Sequence, residues 1–189
     1  LGLTATPWRR DRLSRLIFGY LGDVHHAIET AALVAGGHIL SADVVVRETA
    51  FSPYHDPVRE YSKMLSELTA DDARNRLIAA DVTAEAESGR GVCLVLSDRK
   101  KHCETLQSLL WYGHKTASVV LTGDVSPRER KEALEKIGAG GVRVLVATGQ
   151  LIGEGFDCPE LTTLFIATPV RFSSRLLQFR GRVLCPAPG

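Results

Sequence analysis

The stretch from Val142 to Cys185 reads VRVLVATGQLIGEGFDCPELTTLFIATPVRFSSRLLQFRGRVLC. It contains two apolar runs, Val142–Ala147 and Thr162–Thr168, separated by a glycine-rich acidic turn. Apolar runs rich in β-branched residues are typical of strands that are buried on both faces of a parallel sheet. Open α/β sheets bind ligands at the edge where such strands end. The stretch therefore predicts an α/β domain with a ligand site at this turn.

A helix pattern with a Q-x-x-G-R spacing, Gln178, Gly181 and Arg182, follows the second run. At about 100° per residue, Gln178 and Arg182 fall on one stripe of this helix, whereas Leu177 and Val183 fall on the opposite face. A helix with an apolar back and a Gln/Arg front is suited to hold a phosphate.

Two earlier runs, Val92–Leu96 and Ala117–Leu121, also predict strands, with helices expected at Lys100–Tyr112 and Pro127–Ile137. Strands and helices that alternate at this spacing are typical of β-α-β units with right-handed crossovers. We therefore predict a three-layer α/β domain with a mostly parallel sheet and helices on both faces.

The first ninety residues are less regular. We expect a basic helix that ends near Leu21, a strand around Val44–Val46, and helices at Val58–Leu68 and Asp71–Ala86. At 189 residues, the chain is long enough for one large domain, or for a domain with part of another.

The composition excludes several classes of protein. No apolar run approaches the roughly 20 residues needed to cross a bilayer, and we predict no membrane partner. The four cysteines form no C-x-x-C pair and the six histidines no H-E-x-x-H motif, so we predict no metal site. Scattered cysteines are typical of reduced thiols, so we expect a cytoplasmic protein. The net charge of +1 does not decide whether the chain binds nucleic acid.

Five short motifs occur in one order along the chain: LGLTATP (Leu1–Pro7), CLVLSDR (Cys93–Arg99), VVLTGD (Val119–Asp124), VLVATGQLIGEGFD (Val144–Asp157) and QFRGR (Gln178–Arg182). Together they resemble motifs III, IV, the following T-G block, V and VI of superfamily 2 helicases. The resemblance is strongest to the DEAD/DEAH-box-like branch that contains type III restriction subunits.

The resemblance implies two RecA-like lobes with ATP in the cleft between them. This chain contains neither G-x-x-x-x-G-K-[ST] nor D-E-x-[HD], the phosphate-binding and magnesium-binding motifs of the first lobe. Residues 1–24 would then be the end of the first lobe and the start of the linker, and residues 25–189 the second RecA-like lobe, the helicase C-terminal domain. We therefore expect a longer protein in which ATP and Mg²⁺ are cofactors, with Mg²⁺ held mainly by the N-terminal lobe.

The resemblance also implies an ATP site. Arg182 matches the arginine finger of motif VI, and Gln178 matches its glutamine, so both are predicted catalytic residues. Gly155, Asp157 and Gly181 match positions that contact the nucleotide. The alternatives are ordinary: Arg182 as a surface arginine paired with a carboxylate, and Gly155 and Asp157 as residues that only shape a turn.

A second group of residues matches positions that hold a nucleic-acid backbone. Hydroxyls, backbone N–H groups and arginine just past strand ends suit phosphate oxygens without reading bases, although ordinary turn chemistry also explains them. The expected partner is DNA, with RNA not excluded. The predicted nucleic-acid-binding residues are Ser97, Arg99, Thr122, Gly123 and Thr148.

Two further positions bear on activity. Thr4 and Thr6 match motif III, which in the family couples the nucleotide state to strand movement. Position 185, where the family has its second motif VI arginine, is Cys185 here, and a thiol cannot supply a fixed cation.

We predict the C-terminal lobe of an ATP-dependent helicase or translocase, inactive as an ATPase on its own. The alternative is a non-catalytic nucleic-acid or protein interaction module with a decayed nucleotide site, which Cys185 and the missing first-lobe motifs favour.

Overall fold

The computed structural model describes residues 14–27, 36, 43–89, 91–149 and 158–170. None of the helices in these ranges is long and apolar enough to cross a membrane. In chain order the elements are α1 (Ser14–Leu21), α2 (Tyr61–Ala70), α3 (Asp72–Glu87), β1 (Val92–Ser97), α4 (Lys100–His114), β2 (Ser118–Leu121), α5 (Pro127–Gly138), β3 (Val144–Thr148) and β4 (Leu161–Ile166).

The four strands form one sheet in the order β2-β3-β1-β4, and every neighbouring pair is parallel. β1 and β3 are central, and every residue of both is buried. Burial on both faces explains why these strands are continuous apolar runs rather than alternating patterns. The predicted parallel α/β sheet is confirmed.

Alternate residues of the central strands contribute to two separate cores, because successive side chains of a strand point to opposite faces. Leu94 and Leu145 pack in one core with Ile137 of α5. Val95 and Val146 pack in the other, which is lined by α3 and α4. Helices therefore cover both faces of the sheet, as predicted.

The start of α5 is fixed by a capping box between Ser126 and Glu129. The Ser126 hydroxyl accepts a hydrogen bond from the Glu129 N–H at 3.3 Å, and the Glu129 carboxylate accepts one from the Ser126 N–H at 2.9 Å. The Ser126 hydroxyl also donates to the Glu129 carboxylate at 2.7 Å, and this bond, followed by the one from the Ser126 N–H, lowers the pKa of Glu129. The box satisfies donors that the first turn of a helix otherwise leaves unpaired.

The strand predicted around Val44–Val46 is wrong. Residues 43–50 form no strand, and the three valines are 84%, 77% and 82% exposed. β-branched residues favour extended backbone, but a strand also needs a neighbour that accepts and donates its ladder hydrogen bonds. A bidentate ion pair instead connects this segment to α3, with Arg47 Nε and Nη2 each 2.7 Å from the Asp81 carboxylate.

Candidate functional site at the carboxyl edge of the sheet

Three of the predicted nucleic-acid-binding residues lie side by side at the carboxyl edge of the sheet. Ser97 at the end of β1 is the register partner of Thr148 at the end of β3. Thr122 follows Leu121, whose partner on β3 is Ala147, so it continues the same row on the next strand. Neighbouring strands are about 4.8 Å apart, so this row presents three hydroxyl-bearing residues over a short distance.

The other two lie in the turns that leave this edge. Arg99 lies in the turn between β1 and α4, and Gly123 lies in the exposed turn between β2 and α5. A Cβ added at Gly123 would meet no atom of the described residues within 4 Å. The backbone at Gly123 is therefore accessible to a ligand, while the fold itself does not require glycine there.

The predicted ATP-site and coupling residues fall outside the described part of the chain. They are Thr4, Thr6, Gly155, Asp157, Gln178, Gly181 and Arg182, together with Cys185. Their roles stay predictions.

Ser97 belongs to a buried chain of hydrogen bonds that links three elements. Its Oγ is 2.9 Å from Nδ1 of His102 on α4, and Nε2 of His102 is 2.8 Å from Oδ1 of Asn75 on α3. The Asn75 side-chain amide in turn donates to the Thr69 carbonyl at 2.9 Å. Ser97, His102 and Asn75 are each at most 2% exposed.

The partners fix the direction of every bond in this chain. Because a carbonyl can only accept a hydrogen bond, the group that faces the Thr69 carbonyl is the Asn75 NH₂ group. Oδ1 of Asn75 therefore faces His102. Oδ1 also only accepts, so Nε2 of His102 carries a proton. Burial, and then the nearby Arg74 guanidinium, lower the pKa of His102 to about 4. The ring is therefore neutral at pH 7, and Nδ1 accepts the Ser97 proton.

This neutral histidine predicts a pH dependence of stability. Unfolded, His102 has a pKa near 6.5, so between pH 6.5 and about 4 the unfolded chain binds a proton that the folded chain does not. The stabilising contribution is complete above pH 6.5 and is lost as the pH falls. We expect it to decrease by about 2 kcal/mol between pH 7 and pH 5.

The measurement is urea unfolding at both pH values for the wild type and for His102→Gln, whose amide keeps a donor and an acceptor but does not titrate. The unfolding free energy of the variant should change less over this range, by about that amount. Equal changes in the two proteins would contradict the assigned state of His102. Carboxyl groups such as Glu67, whose pKa is lowered in the fold, are present in both proteins, so their effect on the unfolding free energy cancels in the comparison.

The turn between β1 and α4 is held from three directions. The Arg99 N–H donates to Ser97 Oγ at 3.2 Å, and the Asp98 N–H donates to Thr168 Oγ1, just past β4, at 2.9 Å. Nη2 of Arg99 donates to the carbonyl and the hydroxyl of Ser62, at 3.2 and 2.8 Å. Within the described residues, the other guanidinium nitrogens of Arg99 have no hydrogen-bond partner.

Two more cations lie near this edge. Lys100 forms an exposed ion pair with Asp124, which connects the start of α4 to the turn after β2. Nη2 of Arg74 donates to the Ala167 carbonyl at 2.6 Å, while its buried Nη1 has no hydrogen-bond partner among the residues that the structure describes. Since α4 also begins here, its positive end adds to these charges. The edge is suited to an anionic ligand.

Sequence reasoning missed Asn75, Arg74, His102 and Thr168. A signal was present for two of them: Asn75 shares the buried stripe of α3 with Ala79 and Val82, and His102 adjoins the buried Cys103 on α4. A polar residue on an apolar helix stripe indicates a buried hydrogen bond, because burial without a partner is costly. No local pattern indicates Thr168, whose contact depends on the strand order.

Two of the three thiols in the described part of the chain, Cys93 and Cys103, lie in the core and not in a catalytic environment. Burial raises the pKa of Cys93 to about 12 and that of Cys103 to about 11, so both stay protonated. Among the residues that the structure describes, no group of three or more His, Cys, Asp or Glu side chains could hold a metal ion.

The model of the helicase conserved C-terminal domain matches residues 72–186, from the first residue of α3 to beyond the Q-x-x-G-R spacing. The chain belongs to this family. The region includes the whole sheet, the row at its carboxyl edge and the predicted ATP-site residues after residue 150. The coarse interpretation of the motifs, a helicase C-terminal domain of superfamily 2, is confirmed.

Curated relatives agree with this family. The chain is 24% identical over 198 residues to putative helicase 22 of Sulfolobus islandicus filamentous virus, covering 97% of this chain and 34% of the relative. It is 28% identical over 160 residues to transcript termination protein OPG145 of Monkeypox virus, covering 76% of this chain and 32% of the relative. The chain thus spans about a third of the length of the curated relatives it matches.

Solved structures share the fold. UvsW of T4 superposes with a TM-score of 0.56 at 16% identity, over 67% of this chain and 25% of that one. The Hef helicase domain of Pyrococcus furiosus superposes with a TM-score of 0.51 at 22% identity, over 67% of this chain and 27% of that one. The fold is that of a RecA-like helicase C-terminal lobe, as predicted.

Proposed function

We propose that this chain is the C-terminal lobe of an ATP-dependent helicase or translocase, and that it holds a nucleic-acid backbone along the carboxyl edge of its sheet. The observation that carries the proposal is the family match over residues 72–186, which spans both the hydroxyl row at that edge and the predicted ATP-site residues. In the intact protein, ATP hydrolysis would open and close two lobes so that they step along a strand.

The grip proposed here contacts the backbone rather than the bases. The edge presents hydroxyls at Thr122 and Thr148, an accessible backbone at Gly123, and the guanidinium of Arg99. These groups suit phosphate oxygens, which carry no sequence information. DNA is the proposed partner because the motifs resemble the branch that contains type III restriction subunits, and assignment to that branch stays a prediction.

The ATP half of the proposal rests on motif order. Arg182 would stabilise the negative charge that develops on the transferred phosphoryl group, with Gln178 beside it. Gly155, Asp157 and Gly181 would contact the nucleotide, and an N-terminal lobe would hold most of the Mg²⁺ coordination. The 189-residue chain contains no phosphate-binding loop, so we propose that by itself it binds ATP weakly and does not hydrolyse it.

Arg99→Gln tests the grip in the 189-residue chain. Binding of a fluorescein-labelled 20-nucleotide oligo-dT is measured by anisotropy at several salt concentrations. Loss of one phosphate contact should weaken binding whatever the base sequence of the oligonucleotide. It should also lower the magnitude of the slope of the log association constant against log salt concentration by about 1.

Lys136→Gln is the matched control, because it removes an exposed charge from the last turn of α5, at the opposite edge of the sheet. An equal loss in both variants, or no binding by the wild type, contradicts the proposed grip. Tighter binding of a 20-nucleotide oligo-U would replace DNA by RNA as the partner.

A non-catalytic interaction module is the second candidate, and Cys185 favours it. The position that in the family supplies the second motif VI cation carries a thiol here, and a thiol cannot supply a positive charge. The two candidates differ in whether the full-length protein hydrolyses ATP.

A further inference from the structure

The hydroxyl of Ser97 is unavailable as a donor to a phosphate. It has one proton, and the neutral His102 ring accepts that proton at 2.9 Å, while the Arg99 carbonyl is a longer alternative at 3.4 Å. Phosphate oxygens only accept hydrogen bonds, so the predicted direct contact from Ser97 would require breaking this bond. The Ser97 oxygen instead accepts from the Arg99 N–H at 3.2 Å.

We propose that His102 is a positioning residue for the nucleic-acid grip: through Ser97 it fixes the backbone of Arg99, and so the place from which the Arg99 guanidinium meets the phosphate. The inference rests on the proposed function. It gives Ser97 a role different from the one its motif indicates, because Ser97 orients the arginine and does not touch the strand.

The chemistry of the imidazole explains why a histidine suits this position. A neutral ring presents one donor and one acceptor in opposite directions, and here they contact Asn75 on α3 and Ser97 on β1. Because the ring is rigid and bonded on both sides, it holds the end of β1 at a fixed position relative to α3. Apolar residues of similar volume often stabilise a core as well as a buried polar group does. A fully bonded polar chain is instead suited to fix one arrangement of the turn.

The turn has a second, independent support that does not involve Arg99. The Asp98 N–H is held by Thr168 Oγ1 at 2.9 Å, so loss of His102 should not release the whole turn. The expected consequence is local, because His102 orients Ser97 Oγ, which accepts the hydrogen bond from the Arg99 N–H. This makes the role of His102 separable from a general effect on folding.

The experiment is a double-mutant cycle in the 189-residue chain, with oligo-dT binding measured as above. His102→Leu removes the donor and the acceptor, Arg99→Gln removes the guanidinium, and a third protein carries both changes. We expect His102→Leu to weaken binding about tenfold and to lower the salt slope by about 1, as a lost phosphate contact would. The double variant should bind no more weakly than Arg99→Gln alone, since both changes remove the same contact.

Rescue provides the second readout. His102→Gln keeps one donor and one acceptor and should restore most of the affinity and the slope, and NMR hydrogen exchange should show a protected Arg99 amide in the wild type and in His102→Gln only. If His102→Leu does not fold, Ser97→Ala replaces it in the same cycle.

The outcomes separate this inference from the proposed function. Absence of oligo-dT binding by the wild type overturns the proposed function, and the inference with it. If Arg99→Gln weakens binding but His102→Leu has no effect, only the inference is overturned. The same holds if the losses from Arg99→Gln and His102→Leu add in the double variant.

Discussion

In the full-length protein, Arg182→Ala is expected to lower the rate of ATP hydrolysis by about 10³-fold or more, which is the contribution of an arginine finger in phosphoryl transfer. The reason is electrostatic: a guanidinium aimed at the equatorial oxygens stabilises the charge of the transition state in a site where water is excluded. Arg182→Lys should recover little of the rate, because an ammonium has no planar fork. The measurement is steady-state phosphate release with saturating ATP, Mg²⁺ and oligo-dT.

Arg180→Ala is the matched control, since Arg180 lies two residues away in the same motif but falls on the apolar face of the predicted helix. Equal losses of the hydrolysis rate in the two variants would mean that both act by disturbing the helix, and not by removing one catalytic guanidinium. Cys185→Arg in the same assay shows whether the cysteine is a defect. A large gain would mean that the second cation is missing from the wild type, and an unchanged rate would mean that another residue supplies it.

Gly91→Ala is expected to destabilise the fold by about 2–4 kcal/mol, the range for a strained backbone combined with overpacking. Gly91 precedes β1 with φ +141°, a conformation that residues with a side chain rarely adopt. A Cβ there would overlap both Cγ2 and Oγ1 of Thr162 and would lie 3.0 Å from the Glu160 carbonyl oxygen. That carbonyl accepts the Val92 N–H at 2.9 Å, so neither strand can easily move.

Urea unfolding of the 189-residue chain measures this effect. Gly123→Ala is the control, because Gly123 has no positive φ and no neighbour to meet, and its unfolding free energy should stay within about 0.5 kcal/mol of the wild type. Adding Thr162→Ala to Gly91→Ala should recover part of the loss by removing the overlapping atoms. A Gly91→Ala protein as stable as the wild type would contradict the close approach of β1 and β4 at this end.

The elements that the sequence predicts well are those whose causes are local. The apolar runs of β1 and β3 follow from burial on both faces, and the start of α5 follows from Ser126 and Glu129, three residues apart. The ends of α2 to α5 differ from the predicted bounds by a few residues at most. Local chemistry thus predicts which segments become helices and strands, and the fold class with them.

The features that escaped prediction depend on contacts between distant segments. Asn75 and His102 are 27 residues apart and meet only because α3 and α4 pack on the same face of the sheet. The segment at Val44–Val46 has a strand composition, yet strand formation needs a partner that composition does not specify. On α4, Trp111 is 51% exposed although its neighbour Leu110 is buried, because the buried stripe of this helix runs through Cys103 and Leu110.

Whether this lobe belongs to a nucleic-acid-dependent ATPase, as we propose, is tested by phosphate release from the full-length protein with and without oligo-dT. We expect hydrolysis that oligo-dT stimulates, and no stimulated hydrolysis by the 189-residue chain alone. A folded full-length protein that hydrolyses no ATP under either condition, or a 189-residue chain that hydrolyses it at an oligo-dT-dependent rate, would overturn the proposed function.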